Sequence, residues 1–486
     1  MNAHLDTPPD DCAPGRLRPH VHPGGLPPGP PTRWWGLPLL RAMRADYLGF
    51  TRRLQERYGD TVAMRLGHER TLDLFSPEAV RELLVDHAAH LVRWERGIEV
   101  FEQVFGRSVL VTEGAAWQRQ RRMLQPAFTP RKVAAQAGLM VAAIAPALEQ
   151  ALPAGPTGGL VDMEALFQGL AMDVILRTLF SRSAAEDIRG AAEATQALSR
   201  VAMQEMFMPM TLPDWLPLPG KAEKRRALRR LRELVGRHVR DRRAAIAAGR
   251  PVPQDDLLAL LLNLRDTEGP QATGGSLSDQ EVFDQCMVSF QAGHETTATA
   301  LLWWSRLMAE HPAAAAHARA EVDAVLGGRP PRPQDLPALP WLTATLKEAM
   351  RLYPPAAALM SRRTTADVQV QGWLVPRGTM VRITPWVLQR DPRSFAEPDA
   401  FRPERFLPDA PPPPRGAWMP FGTGPRVCIG QHFAMLEMSI IAAMLLQRCT
   451  LALPPGAGPA VPVFNVTLRP QGGLQLMLVR RSAAPA

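Results

Sequence analysis

The sequence predicts a mainly α-helical fold with a minor β portion, and three observations carry that prediction. Helical periodicity runs almost unbroken from Glu113 to Pro312. Within it, Asp279–Glu310 has both ends marked: Ser278 and Glu281 form a capping box, and His311-Pro312 stops the run. Strand-like alternation is short and confined to Thr61–Phe75 and to the chain after Pro355.

The elements follow in order. Residues 1–32 are rich in Pro, Gly, Asp and His and predict a disordered tail. The remainder, 33–486, reads as a single domain. Arg41–Tyr58 has helical spacing, Thr61–Arg65 and Thr71–Phe75 predict strands around Gly67-His68, and a helix is expected over Pro77–Asp86. Long helices are expected at Leu160–Phe180, Lys221–Ala248 and Asp279–Glu310, the last spanning roughly 50 Å at about 1.5 Å per residue. Leu342–Leu352 is a helix ended by Pro354-Pro355. Val368–Val370 and Met380–Ile383 predict a hairpin turning at Pro376-Arg377-Gly378. A final helix runs over Ile429–Arg448, and strands are expected near Phe464–Leu468 and Leu474–Val479.

Composition narrows the function. The net charge of +9, from 56 basic and 47 acidic residues, is modest for 486 residues and comes with no nucleic-acid-binding module. Four dispersed cysteines, without a Cys-x-x-Cys pair, exclude the usual zinc and dithiol motifs and point to the cytoplasm. No stretch has the length and apolarity of a membrane span, and the N-terminus lacks the apolar run of a signal peptide. Trp34 and Trp35 either pack on the domain or touch a membrane surface.

Four motifs carry chemistry. In Phe421-Gly-Thr-Gly-Pro-Arg-Val-Cys-Ile-Gly430 a tight loop places Cys428 at the start of an apolar helix, where backbone N–H groups and the helix dipole favour a thiolate. Gly424 and Gly430 allow close approach of a flat ligand, and Arg426 offers a charge for a carboxylate. In Ala292-Gly-His-Glu-Thr-Thr297 an acid sits beside an alcohol mid-helix, a pairing suited to proton relay. Glu348 and Arg351 share a helix face, as do Trp117 and Arg121.

These segments together resemble the cytochrome P450 family, from about Trp34 to the C-terminus, with the motifs in the family's order. The cysteine loop matches at Phe421, Gly424, Arg426, Cys428 and Gly430, and Ala434 also fits. The resemblance implies a P450 fold, with a long central helix over heme b and the ligand loop before the last long helix. It implies that Cys428 is the axial ligand of the iron, the thiolate favouring O–O cleavage. It further implies that Phe421 tunes the iron and that Trp117, Arg121, Arg426 and Arg362, whose neighbour Arg363 competes for the role, hold the propionates. Glu295 and Thr296 would take part in oxygen activation and proton delivery. Glu348 and Arg351, joined by Arg405 of Phe401-Arg-Pro-Glu-Arg-Phe406, would secure the core. Gln389 departs from the family, where many members have His.

The activity implied is that of a monooxygenase inserting one atom of O2 into a hydrophobic small molecule. The chain carries no flavin or iron–sulfur segment, so electrons are expected from a ferredoxin or flavodoxin with its reductase, and Arg119, Arg122, Arg131 and Lys132 form a candidate docking cluster or a solvated basic face. Candidate substrate-lining residues are Ile98, Phe101 and Phe105, the Met-rich stretch Met203, Met206, Phe207, Met208 and Met210, then Ala356–Met360 and Phe464. Ile383–Arg390 and Val466–Gly473 are similar to bacterial members that hydroxylate carotenoids and other terpenoids, with fatty acids the close alternative. Two further readings remain open: a peroxygenase or hydroperoxide isomerase, which commonly lacks the acid–alcohol pair, and a non-catalytic heme or ligand-binding protein.

Overall fold

The computed structural model describes residues 26–153, 157–208, 212–216, 218, 220–266 and 274–481. Cys12, Met210 and most of the expected N-terminal tail lie outside the described residues. The chain forms two compact units: Met1–Gly97 with Ala356–Ala400 and Pro413–Cys428, and Ile98–Pro355 with Phe401–Pro412 and Ile429–Ala486.

The first unit is organised by a five-stranded sheet in the order Thr61–Leu66, Glu69–Leu74, Met380–Ile383, Arg362–Thr364, Leu91–Arg93. The first two strands are the expected hairpin, antiparallel with Thr61 opposite Leu74. Met380–Ile383 then pairs parallel to Glu69–Leu74 instead of with Val368–Val370. The expected second hairpin closes earlier, Val368–Val370 pairing with Trp373–Val375 across Gln371-Gly372. Both turn residues have positive φ, 50° and 78°, the geometry a two-residue hairpin needs. Leu72, Leu74, Leu83, Val381, Ile383 and Met419 form the core of this unit. Within it, Arg382 donates to Asp73 at 2.6 Å; burial raises the Asp73 pKa and the guanidinium opposes that rise.

The helix expected over Arg41–Tyr58 is two helices, Leu37–Ala45 and Tyr47–Tyr58. Asp46 breaks the run and caps the second, accepting from the Gly49 N–H at 2.8 Å. Trp34 and Trp35 adopt positive φ and keep their indoles exposed, so they do not pack on their unit.

The second unit is built around the helix Asp279–Glu310, whose bounds and capping box match the sequence reading. Most of its residues from Val282 onward are buried, which follows from the helices packed on it: Met163–Phe180, Pro340–Leu352 and Gln431–Arg448. Gly293 lets one of these approach closely, since a Cβ there would lie 3.1 Å from the Ile175 side chain. The segment expected as one helix from Leu160 begins instead as a strand, Gly159–Asp162, paired with Gln475–Arg480. Asp162 then caps the helix Met163–Phe180 through the Glu164 and Ala165 N–H groups, both at 3.0 Å. Near the C-terminus, Pro462–Phe464 and Leu468–Pro470 make a short hairpin where one strand, Phe464–Leu468, was expected. The Trp303 indole of the long helix donates to the Leu468 carbonyl at 2.7 Å and fixes that hairpin to it.

Glu348 and Arg351 meet as the sequence suggested. Both side chains are fully buried, with Arg351 Nε donating to Glu348 at 2.7 Å. The Arg402 N–H reaches the same carboxylate at 2.9 Å, and Arg405 Nε lies 3.4 Å from it.

Candidate active site

The first unit carries Arg362, Phe421, Gly424, Arg426 and Cys428; the second carries Trp117, Arg121, Glu295, Thr296 and Gly430.

The cysteine loop is shaped by its own backbone. The Cys428 N–H donates to the Phe421 carbonyl at 2.9 Å, and the Val427 N–H donates to that of Gly424 at 3.0 Å. Gly422 and Gly424 have φ of 72° and 74°, which L side chains rarely adopt. At Gly424 the constraint is double, because a Cβ would sit 2.3 Å from the Leu84 carbonyl oxygen. That packing, which the sequence does not reveal, is a structural reason for the glycine. Buried Gln389, the family departure, accepts from the Met419 N–H at 2.7 Å and so steadies the start of the loop. Trp418 packs edge-on against Phe421, ring centroids 6.3 Å apart. Arg426 is half-buried, and Gly430, with ordinary φ of −86°, precedes the helix Gln431–Arg448.

The thiols divide sharply. Cys286 and Cys449 are buried, and Cys428 is exposed. Burial pushes the Cys449 thiol up to about 12 and raises that of Cys286 as well, so both behave as inert core groups. Among the described cysteines, Cys428 alone is exposed.

Arg362 is buried on its strand and donates to the Met360 carbonyl. Arg363, the competing neighbour, pairs with Glu69 at 2.6 Å and Glu95 at 2.7 Å. In the second unit, Trp117 and Arg121 are half-buried on the helix Gly114–Leu124.

On the long helix, Thr296 Oγ1 donates to the Ala292 carbonyl at 2.8 Å and Thr297 Oγ1 to that of Gly293 at 3.0 Å. His294 is buried and donates from Nδ1 to the Phe290 carbonyl at 2.8 Å; burial lowers its pKa, so the ring is neutral. Glu295 is also buried. It accepts from Ser199 at 2.8 Å, Thr467 at 2.9 Å and Arg469 at 2.9 Å. Arg469 in turn reaches Glu164 at 2.7 Å. Sequence reasoning named Glu295 and Thr296 but assigned no role to Ser199, Glu164, Thr467 or Arg469. No local signal links these positions, which come from three separate parts of the chain. A further buried acid, Glu437, faces Thr297, and burial raises its pKa well above the usual carboxylate range.

Phe101 and Phe105 stack at 5.6 Å. Met203, Met206, Phe207 and Phe464 are half-buried and Met208 is exposed. Of the basic cluster, Arg119 binds Glu281 at 2.6 Å and Arg122 binds Asp266 at 2.6 Å, whereas Arg131 and Lys132 are exposed. None of the described helices is long and apolar enough to cross a membrane.

With this geometry in place, comparison with known proteins settles the class. Residues 27–477 match the Cytochrome P450 family, and the chain belongs to that family. It is similar to cyclooctat-9-en-7-ol 5-monooxygenase of Streptomyces melanosporofaciens, 35% identical over 82% of this chain and 84% of the relative. Cyclooctatin synthase of the same organism is 36% identical over 90% of each. Pentalenene oxygenase of Streptomyces avermitilis is 31% identical over 87% of this chain and 91% of the relative. The protein is accordingly an oxidoreductase, a P450 monooxygenase, of a family that binds heme. The cysteine loop fits that cofactor: it places an exposed cysteine on a backbone turn closed on itself, and thiolate donors suit heme iron.

Proposed function

We propose that the protein is a heme b monooxygenase that inserts one atom of O2 into a hydrophobic terpenoid, drawing electrons from a separate ferredoxin or flavodoxin and its reductase. Cys428 would ligate the iron, with Phe421, Gly424 and Gly430 shaping its loop. Trp117, Arg121, Arg362 and Arg426 would hold the propionates. The bound heme supplies the oxygen-activating chemistry; the chain's own groups bind the substrate, exclude water and move protons.

The observation that carries this reading is that one chain holds both an exposed cysteine on a closed loop and an acid and an alcohol at adjacent positions of the long helix. At rest Thr296 keeps its hydroxyl proton on the Ala292 carbonyl, and rotation about χ1 redirects it. Glu295 is the neighbouring group able to replace that proton. This pair disfavours the peroxygenase or isomerase alternative. Relatives named for acting on cyclooctat-9-en-7-ol and pentalenene support a terpenoid over a fatty acid. Apolar Phe101, Phe105, Met203 and Met206 suit such a substrate.

The test is turnover under isotopically labelled O2 with a ferredoxin and its reductase, across a panel of terpenoids and fatty acids. One labelled oxygen in a terpenoid product is expected. Oxygenation driven by peroxide alone, or label absent from the product, would overturn the reading.

A further inference from the structure

Glu295 is fully engaged by groups that the proton-delivery role does not use. Its Oε2 accepts from Ser199 Oγ at 2.8 Å. Its Oε1 accepts from Thr467 Oγ1 at 2.9 Å and from Arg469 Nη2 at 2.9 Å. Thr467 and Arg469 belong to the C-terminal hairpin, and Arg469 Nε lies 3.2 Å from Thr467 Oγ1, so the hairpin grips the carboxylate with two side chains. Adjacent residues on a helix point in different directions. Thr296 accordingly addresses the Ala292 carbonyl while Glu295 addresses the hairpin. For Glu295 to serve Thr296, its carboxylate has to leave Arg469.

The other end of Arg469 shows how that departure is made tolerable. Nη1 binds Glu164 Oε1 at 2.7 Å, and the same Glu164 oxygen also accepts from Gln168 at 3.1 Å. Arg469 thus bridges two carboxylates. When Glu295 swings away, the guanidinium keeps a charged partner and no half-buried cation is stranded. A single ion pair would have no such release position.

We propose that Arg469 is a positioning residue that parks Glu295 against the C-terminal hairpin, with Glu164 as the anchor that lets the acid leave. The inference rests on the monooxygenase reading of Glu295 and Thr296. The hairpin also carries Phe464, a candidate substrate contact, so a substrate that shifts the hairpin shifts the acid. Arg469 does not touch the reacting atoms.

The experiment uses the heme-loaded protein with its electron donors and compares Arg469→Gln, Arg469→Lys and Glu164→Gln. In Arg469→Gln, oxygen consumption without substrate rises with release of hydrogen peroxide. Product per O2 falls about tenfold, the size of effect expected from losing a charge-assisted hydrogen bond. The solvent deuterium isotope effect on product formation changes, and amide exchange of residues 466–470 accelerates by a similar factor. Arg469→Lys, which keeps the charge, recovers part of the coupling and also decides the matter if the Gln variant loads heme poorly. Glu164→Gln removes the anchor but not the parked pair, so turnover slows while product per O2 is preserved. Faster exchange at 466–470 with coupling and isotope effect unchanged would make Arg469 a structural link only and overturn the proposal, as would lost coupling without any change in exchange. If the wild-type protein forms no oxygenated product with any donor, the monooxygenase reading fails, while the exchange comparison still tests the tie between Arg469 and Glu295.

Discussion

Replacing Glu348 with Ala isolates the buried charge network of the second unit. Glu348 and Arg351 have no exposed side-chain surface, and the carboxylate serves Arg351 at 2.7 Å, the Arg402 N–H at 2.9 Å and Arg405 at 3.4 Å. Removing one partner of a fully buried pair leaves the other charge inside without compensation, which costs about 3–5 kcal/mol. For a unit of this size that loss lowers Tm by roughly 5–8 °C. Thermal unfolding of the heme-loaded protein, followed by both Soret absorbance and tryptophan fluorescence, measures it. The second arm is the double replacement Glu348→Met with Arg351→Leu. It removes both charges of the pair together and should recover part of the loss, because desolvation of an ion pair offsets much of its attraction while the Arg402 N–H and Arg405 still lose their acceptor. A Glu348→Ala variant within about 1 kcal/mol of wild type, in the range of an exposed pair, would refute the reasoning.

Three further outcomes follow from the same geometry. Gly424→Ala forces a side chain into positive φ and onto the Leu84 carbonyl, so it should lose at least about 2 kcal/mol and reduce the fraction of protein loaded with heme, measured by the heme-to-protein absorbance ratio. Glu437 has a folded pKa well above its unfolded value because of burial, so the stability it contributes is complete below the unfolded value and declines as pH rises through the folded one. Glu437→Gln should therefore flatten the fall in stability as pH rises above the ordinary carboxylate range, seen in urea unfolding from mildly acidic to alkaline pH, and an unchanged slope would count against it. Charge reversal at exposed Arg131 and Lys132 should slow reduction by an acidic donor at low salt and lose its effect at high salt, in stopped-flow measurements; reversal at Arg119 should instead destabilise the fold, because that side chain is held by Glu281.

How much of this was legible in the sequence depends on whether the signal was local. The long helix could be read to its ends because Ser278, Glu281 and His311-Pro312 act within one turn of each boundary. The Phe421–Gly430 loop was visible for the same reason, its glycines and cysteine lying side by side. The misread hairpin was also a local matter: the pair Gln371-Gly372, not Pro376-Arg377-Gly378, supplies two consecutive residues of positive φ. The strand Gly159–Asp162 was hidden because its partner, Gln475–Arg480, lies more than half the chain away and its residues otherwise continue a helical pattern. The Glu295 network was hidden more completely. Nothing near Ser199 or Arg469 marks them as partners of an acid on another helix, and only the fold brings them within hydrogen-bonding distance.

The measurement closest to the central claim is the absorbance spectrum of the reduced, carbon-monoxide-bound protein. Ligation by the Cys428 thiolate predicts a strongly red-shifted Soret band in the wild type, absent in Cys428→His even when that variant holds a full complement of heme. A wild-type band at the position typical of imidazole ligation, or a red-shifted band that survives in Cys428→His, would contradict it.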